Sequence, residues 1–332
     1  MNIYITLDYE LFLGTQTGSV DNCLIRPTFA LLEVLERYGV KASFFVDAAY
    51  LMRVTQLMAE ADALKHDYNN ITKQIKQLDR LGHSIQFHFH PQWIYSQYEN
   101  GAWKMDFEHY KLEDMCANEV ENSIVESYGV LQSLVTKRIT TFRAGGYSLM
   151  DFDRYKMLFG RLGIKNDTSV LRGKICSSRF QSYNYKKVPN KSSYPFSTSI
   201  VELDMNGDMM EYPITTAAFP SVIPTLKTYF AIKKSTPDSF HKWGDGKSIS
   251  QKSKGGLRRL IVHARMLFGR TVIPASIDSG AIMLETVVTK SMKTIDGDNI
   301  VIIGHPKNLN NLSLENLDRF IKRQGTDAFK AF

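Results

Sequence analysis

Residues 82–93 read Gly-His-Ser-Ile-Gln-Phe-His-Phe-His-Pro-Gln-Trp, and this one segment holds three of the chain's eight histidines, His83, His88 and His90. It has the pattern of a β-strand running into a loop. Successive side chains on a strand face opposite ways, so His88 and His90 share one face and Phe87 and Phe89 the other, while His83 points away from His88. Pro91 cannot donate to a ladder and ends the strand. His90 and Trp93 are thereby left at its carboxyl end, where parallel-sheet proteins keep their chemistry. Two neutral imidazoles on one face suit a Zn²⁺-like ion, which needs three protein ligands and an open position to act on a substrate. The pattern fits equally a half-buried strand whose histidines bond to backbone.

The surrounding chain repeats the same theme. Residues 3–9 read as a strand ending at Asp8 and Glu10, residues 27–38 as a helix opened by Pro27, and residues 40–46 as a strand ending at Asp47. Residues 48–81 are expected to be helical, with a polar bend around 67–70. Further on, 139–142 is a strand ending in Arg143-Ala-Gly-Gly-Tyr147, 164–170 a strand end carrying Asp167, 210–214 a short strand, and 299–304 a buried strand ending in His305. Alternating strands and helices build a parallel sheet with right-handed crossovers. A series of strands that each end in a polar residue is what a (β/α) barrel uses to assemble one site, because all carboxyl ends emerge on one face. An open doubly wound sheet is the alternative.

Composition narrows the classes. The 332 residues are 43% hydrophobic and 23% charged, an ordinary globular balance in which no run approaches a membrane span. The amino terminus shows no basic segment followed by an apolar one, so a cytoplasmic location is expected, with peripheral contact at the inner face of the membrane as an option. Cys23, Cys116 and Cys176 are widely spaced and read as reduced structural thiols rather than metal ligands. The sequence has no phosphate-cradling glycine loop, no nucleophile elbow and no nucleic-acid module.

Taken in order, the motifs resemble those of the polysaccharide deacetylase family, the NodB-homology carbohydrate esterases. Thr6-Leu-Asp8 is similar to that family's first motif, Lys41-Ala-Ser-Phe-Phe-Val46 to its second strand, and Gly82 through His88 to its histidine motif. Arg143 to Tyr147 resembles its arginine motif, Asp167-Thr-Ser-Val170 its aspartate motif, and Ile303-Gly-His305 its closing histidine motif. The resemblance implies a single catalytic domain over 1–332, folded as a distorted, incomplete (β/α) barrel of about seven strands. Three departures stand out. Tyr9 occupies the place of a second adjacent aspartate, which makes Glu10 the candidate carboxylate. Gln92 stands where a second histidine is usual, so His90 is expected to replace it, as in a His-x-His-Pro-x-Trp branch associated with bacterial surface polysaccharides. Gly145-Gly146 stands where a proline is common.

The resemblance implies roles. Glu10, His88 and His90 would hold a divalent ion, most simply Zn²⁺, that lowers the pKa of water and polarises an acyl oxygen. Asp8 would be the general base, clamped by Arg143. His305 would protonate the leaving group, with Asp167 orienting it. Asp167 is alternatively a helix cap and His305 a turn residue. Trp93 and Tyr147, with Trp103, would stack on sugar rings or serve as packing.

The barrel pattern lapses over 219–277, a basic insertion that holds much of the net charge of +7. Within it, Leu260, Ile261, Ala264, Leu267 and Phe268 share a helical face among basic residues, so 257–270 is expected to contact an anionic membrane. The function expected is hydrolytic removal of an acetyl or other acyl group from a bacterial glycan or its lipid- or nucleotide-linked precursor. An amidohydrolase of a small non-sugar amide and a non-catalytic carbohydrate-binding relic are the competing readings.

Overall fold

The computed structural model describes residues 1–234, 236–249 and 269–332. In chain order the first elements are β1 Asn2–Tyr9, α1 Arg26–Arg37, β2 Ser43–Asp47, α2 Ala48–Leu57, α3 Asp62–Arg80 and β3 Ser84–Phe89. A turn of helix α4 Gln92–Tyr95 leads to a small hairpin, β4 Gln97–Glu99 with β5 Ala102–Lys104. Then come α5 Ala117–Gln132, β6 Thr141–Ala144, α6 Asp153–Leu162 and β7 Asn166–Asp167. A second hairpin, β8 Ile175–Ser177 with β9 Ser182–Asn184, is followed by β10 Tyr194–Phe196, β11 Met209–Glu211 and β12 Thr216–Pro220. The chain continues through α7 Val222–Lys234, β13 Arg270–Pro274, α8 Leu284–Ser291, β14 Asn299–Gly304, α9 Asn311–Gln324 and β15 Phe329–Lys330.

The main sheet runs β10-β11-β7-β6-β3-β2-β1-β14, with β15 also on β1. Every neighbour pair from β11 to β14 is parallel, which gives seven parallel strands, and β10 adds one antiparallel edge strand. The gap is bridged without regular strands. Thr215 N–H donates to Val301 O at 3.0 Å, Ile214 N–H to Val170 O at 2.9 Å, and Ile303 N–H to Ala275 O at 2.9 Å. Gly304 permits this closure, because a Cβ there would sit 2.2 Å from Ile277. The architecture is the distorted, incomplete barrel of the NodB type.

Local chemistry explains most elements. β1, β2 and β3 are buried almost throughout, as strands covered by helices on the outside must be. Asp47 caps α2 by accepting the Tyr50 N–H. The helical stretch after β2 breaks at 58–61, not at 67–70. Asp67 to Asn70 lie inside α3, because Leu64, Ile71, Ile75 and Leu78 continue one buried stripe straight past them. The supposed loop after His90 contains the β4–β5 hairpin.

The insertion leaves the barrel through an antiparallel ribbon in which β12 pairs with β13, Pro220 opposite Arg270. Part of it returns to the barrel: Lys247 pairs with Gln16, and Asp245 accepts bonds from Ser19 and Asn22. Most of the basic helix expected over 257–270 lies outside the described residues, and Arg270 begins β13. Among the described residues, no helix is long and apolar enough to cross a membrane.

Candidate metal centre and active site

Four of five consecutive strands, β14, β1, β3 and β6, with β2 between β1 and β3, deliver His305, Asp8 with Glu10, His88 with His90, and Arg143 to one end of the sheet. There they line a cavity of about 300 Å³ shared by Asp8, Glu10, His88, His90, His305, Lys307 and Tyr147. Glu10 Oε2 lies 2.6 Å from His90 Nε2 and 3.2 Å from His88 Nε2, all three residues being buried. His88 Nδ1 donates to the Arg143 carbonyl at 2.7 Å. That bond fixes the proton on Nδ1 and turns the Nε2 lone pair toward Glu10. A lone pair facing a carboxylate oxygen calls for a cation between them, so this donor set fits a divalent ion.

Gln92 stands behind His90, its amide nitrogen 3.4 Å from Nδ1, while its amide oxygen has no partner although buried. With the amide rotated by half a turn, that oxygen accepts the Nδ1 proton and leaves Nε2 free for the ion. The residue in the place of the usual histidine thus acts as an outer partner of the one that replaces it. Gly145 makes room for this arrangement: a Cβ there would lie 2.6 Å from His90 Nδ1 and 2.6 Å from the Phe89 carbonyl oxygen.

On one side of the cluster, Asp8 pairs with Arg143, which is wholly buried. The guanidinium also donates to Thr168 O at 3.0 Å and Thr6 Oγ1 at 2.8 Å, and lies over the Phe45 ring at 4.2 Å. Burial pushes the Asp8 carboxyl up, but the nearby positive charges, Arg143 foremost, outweigh it and hold it below the usual range. Glu10 is likewise penalised by burial and driven well below its usual value, chiefly by Lys307. On the other side, His305 Nε2 is 3.5 Å from Asp8 Oδ2, and its Nδ1 is 2.7 Å from Asp278 Oδ2. Burial works against the imidazolium, yet Asp278, with help from Asp8 and Glu10, raises His305 to about 9.

Two expected site residues lie elsewhere. Trp93 is buried, donates from Nε1 to Asp47 Oδ2 at 2.7 Å, and packs on Tyr50 and Trp103. It does not line the cavity, because the helical turn α4 swings its indole away from the line of β3. Asp167 does not orient His305. Its carboxylate accepts the Ser169 N–H at 2.8 Å and the Ser169 hydroxyl at 3.0 Å, and it pairs with Glu211, its neighbour in register. It caps no helix either, since a turn follows β7. Burial raises Asp167, and raises Glu211 well above its usual value, each carboxyl adding to the cost of ionising the other. His83 is a core residue: its Nδ1 accepts the Ala42 N–H at 3.1 Å, and burial with nearby Lys41 depresses it to about 4.

Asp278 and Lys307 went unnoticed in the sequence, as did Tyr110, Phe180, Gln181, Ser248 and Ile249, which form part of the wall. Asp278 follows Ile277, whose N–H bonds to Ile303 O at 3.0 Å. That contact spans the barrel closure and leaves no periodic signal.

A curled parallel sheet whose carboxyl ends gather a Glu-His-His cluster, an Asp-Arg pair and a His-Asp pair agrees in fold with the NodB-homology carbohydrate esterases. The family model for polysaccharide deacetylases matches residues 19–153, a span holding the histidine and arginine motifs. Members of that family are hydrolases acting on carbon–nitrogen or ester bonds of sugars. The fold here is similar to that of a polysaccharide-deacetylase-like protein from Mycobacterium smegmatis, with a TM-score of 0.50 at 13% identity over 99% of this chain and 85% of that one. A family 4 carbohydrate esterase from Streptomyces lividans in complex with acetate gives a TM-score of 0.40 at 9% identity, covering 99% and 91%. A family 4 acetyl xylan esterase from Clostridium thermocellum in complex with a cobalt ion gives 0.24 at 19%, covering 43% and 48%. A search among curated protein sequences gave no match.

Proposed function

We propose that this protein is a metal-dependent deacetylase that removes an N- or O-linked acetyl or other acyl group from a glycan or from its lipid- or nucleotide-linked precursor. The observation that carries the reading is the opening of Glu10, His88 and His90 into the same cavity as Asp8 and His305. Glu10 Oε2 and the two Nε2 atoms would hold Zn²⁺ or another late first-row ion, since a mixed carboxylate and imidazole set selects weakly. When bound, such an ion lowers the pKa of water and polarises the acyl oxygen.

The chain's own groups divide the proton work. Asp8, kept ionised by Arg143, accepts the proton of the attacking water. His305, kept protonated by Asp278, gives its Nε2 proton to the departing nitrogen or oxygen. Arg143 and Asp278 themselves stay outside the exchange and fix the two charges. Tyr147, Tyr110 and Phe180 offer ring faces to an apolar sugar surface.

A cavity of about 300 Å³ is at the small end for ligand sites, which favours a terminal sugar ring or short precursor over the interior of a long polymer. The same size favours, as a second reading, a small non-sugar amide. Acetate release from a panel of N- and O-acetylated monosaccharides, oligosaccharides and simple anilides, with metal analysis of wild type and the His88→Ala and His90→Ala variants, separates them. Release from sugars that depends on metal and is lost in both variants supports the deacetylase. Release from anilides alone favours the amidohydrolase, and absence of metal with no turnover favours the binding relic. Contact of residues 257–270 with anionic lipid is a separate proposal that rests on their sequence, and salt-sensitive sedimentation with anionic vesicles tests it.

A further inference from the structure

Glu10 is the point at which this chain departs from a pair of adjacent aspartates, and its two oxygens have different fates. Oε2 faces His88 and His90, while Oε1 accepts from Lys307 Nζ at 2.8 Å. The same ammonium donates to the Leu11 carbonyl at 2.6 Å and sits 5.0 Å from the centre of the Phe12 ring. Lys307 is buried, and its backbone is pinned as well: its carbonyl accepts the Gly244 N–H at 3.2 Å, in the turn that begins at His305. A glutamate has one more rotatable bond than an aspartate and swings more freely, and a free carboxylate beside a divalent ion can offer one oxygen or both.

We propose that Lys307 is a positioning residue that holds Glu10 as a one-oxygen ligand. Its ammonium occupies Oε1 and ties it to the Leu11 backbone, so only Oε2 can reach an ion between His88 and His90. A second Glu10 oxygen on the ion would fill a position that water or the acyl oxygen needs. Lys307 therefore keeps the coordination number low and the site open, a task that falls to it because the carboxylate is a glutamate. The inference rests on the metal centre proposed above.

The test is Co²⁺ titration of the full chain after chelator dialysis, followed by calorimetry and by the visible absorption of the bound ion, whose intensity falls as coordination rises from four to six. Wild type is expected to give a strong, low-coordination spectrum. Lys307→Met is expected to bind Co²⁺ about 10- to 100-fold more weakly, the usual cost of losing an outer partner of a ligand, with a weaker and shifted band. Lys307→Arg, which keeps the cation, is expected to recover most of the affinity. Should Lys307→Met fail to fold, Lys307→Gln carries the test. It keeps a donor and most of the packing, and an intermediate loss is expected. Unchanged affinity and spectrum in a folded Met or Gln variant, with normal wild-type binding, overturns this inference alone. A wild-type chain that takes up no Co²⁺ overturns the metal centre and this inference with it.

Discussion

Asp278 holds His305 with both carboxylate oxygens, Oδ1 accepting the backbone N–H at 2.8 Å and Oδ2 lying 2.7 Å from Nδ1. One acid thus sets the position of the ring and favours its protonated form, which places His305 at about 9. Asp278→Asn keeps the shape and removes the charge. The alkaline limb of kcat/KM is expected to move to lower pH, and kcat at neutral pH to fall by about 100-fold, the low end of the range for a lost general acid. A pH–rate profile with its alkaline limb unmoved would remove Asp278 from the mechanism.

Arg143 and Asp8 form a buried ion pair, so deleting the cation leaves a charge with no compensation. Arg143→Met is expected to cost about 3–5 kcal/mol of stability and nearly all activity. The double variant Asp8→Asn with Arg143→Met is expected to be more stable than Arg143→Met alone, because the stranded carboxylate is gone. Urea denaturation of the three proteins measures the difference, and equal midpoints for the single and double variants contradict the pairing.

The Gly145 position decides whether the His90 ring fits. Gly145→Ala is expected to lose about 1–3 kcal/mol, the usual cost of overpacking, and to weaken metal uptake as His90 is displaced. Gly129, in α5, has no atom within 4 Å of an added Cβ. Gly129→Ala therefore serves as a control and is expected to be neutral or stabilising by up to about 1 kcal/mol. Thermal melts of the two variants give the comparison, and equal melting temperatures argue against a crowded site.

His83 has a pH signature with a definite sign. Its pKa is about 4 in the fold, and an unfolded histidine titrates near 6.5. Between those values the unfolded chain binds the extra proton, so stability rises with pH in that window and is flat, for this group, above it. Acidification from pH 6.5 toward 4 is expected to withdraw on the order of 2–3 kcal/mol through His83. His83→Phe is expected to show a shallower loss over the same range. Parallel stability curves for the two proteins count against it.

Much of the frame was legible because period and punctuation are local properties. β1, α1 and β14 match their expected spans to within a few residues, since alternating or fully apolar runs bounded by Gly, Pro or a charged end leave few choices. The convergence of Asp8, Glu10, His88, His90, Arg143 and His305 also followed, because parallel strands expose all their carboxyl ends together. Trp93 and Asp167 were misplaced for a shared reason. Spacing tells which way a side chain points only while the strand lasts. Past Pro91 the backbone turns helical and carries the indole to Asp47, and past β7 the chain turns so that Ser169 and Glu211 claim Asp167.

The sequence alone determined the parallel strand-and-helix frame and the chemical types at its strand tips, because both depend on periodicity and on residues within a few positions of one another. Only the tertiary structure decided which carboxylate serves His305, which oxygen of Glu10 is left for an ion, and that Gln92 backs His90. The first two choices join residues 27 and 297 positions apart through one or two hydrogen bonds. The third turns on whether Gly145 leaves room for an imidazole. Contacts of that kind depend on packing geometry, which no local pattern in the chain encodes.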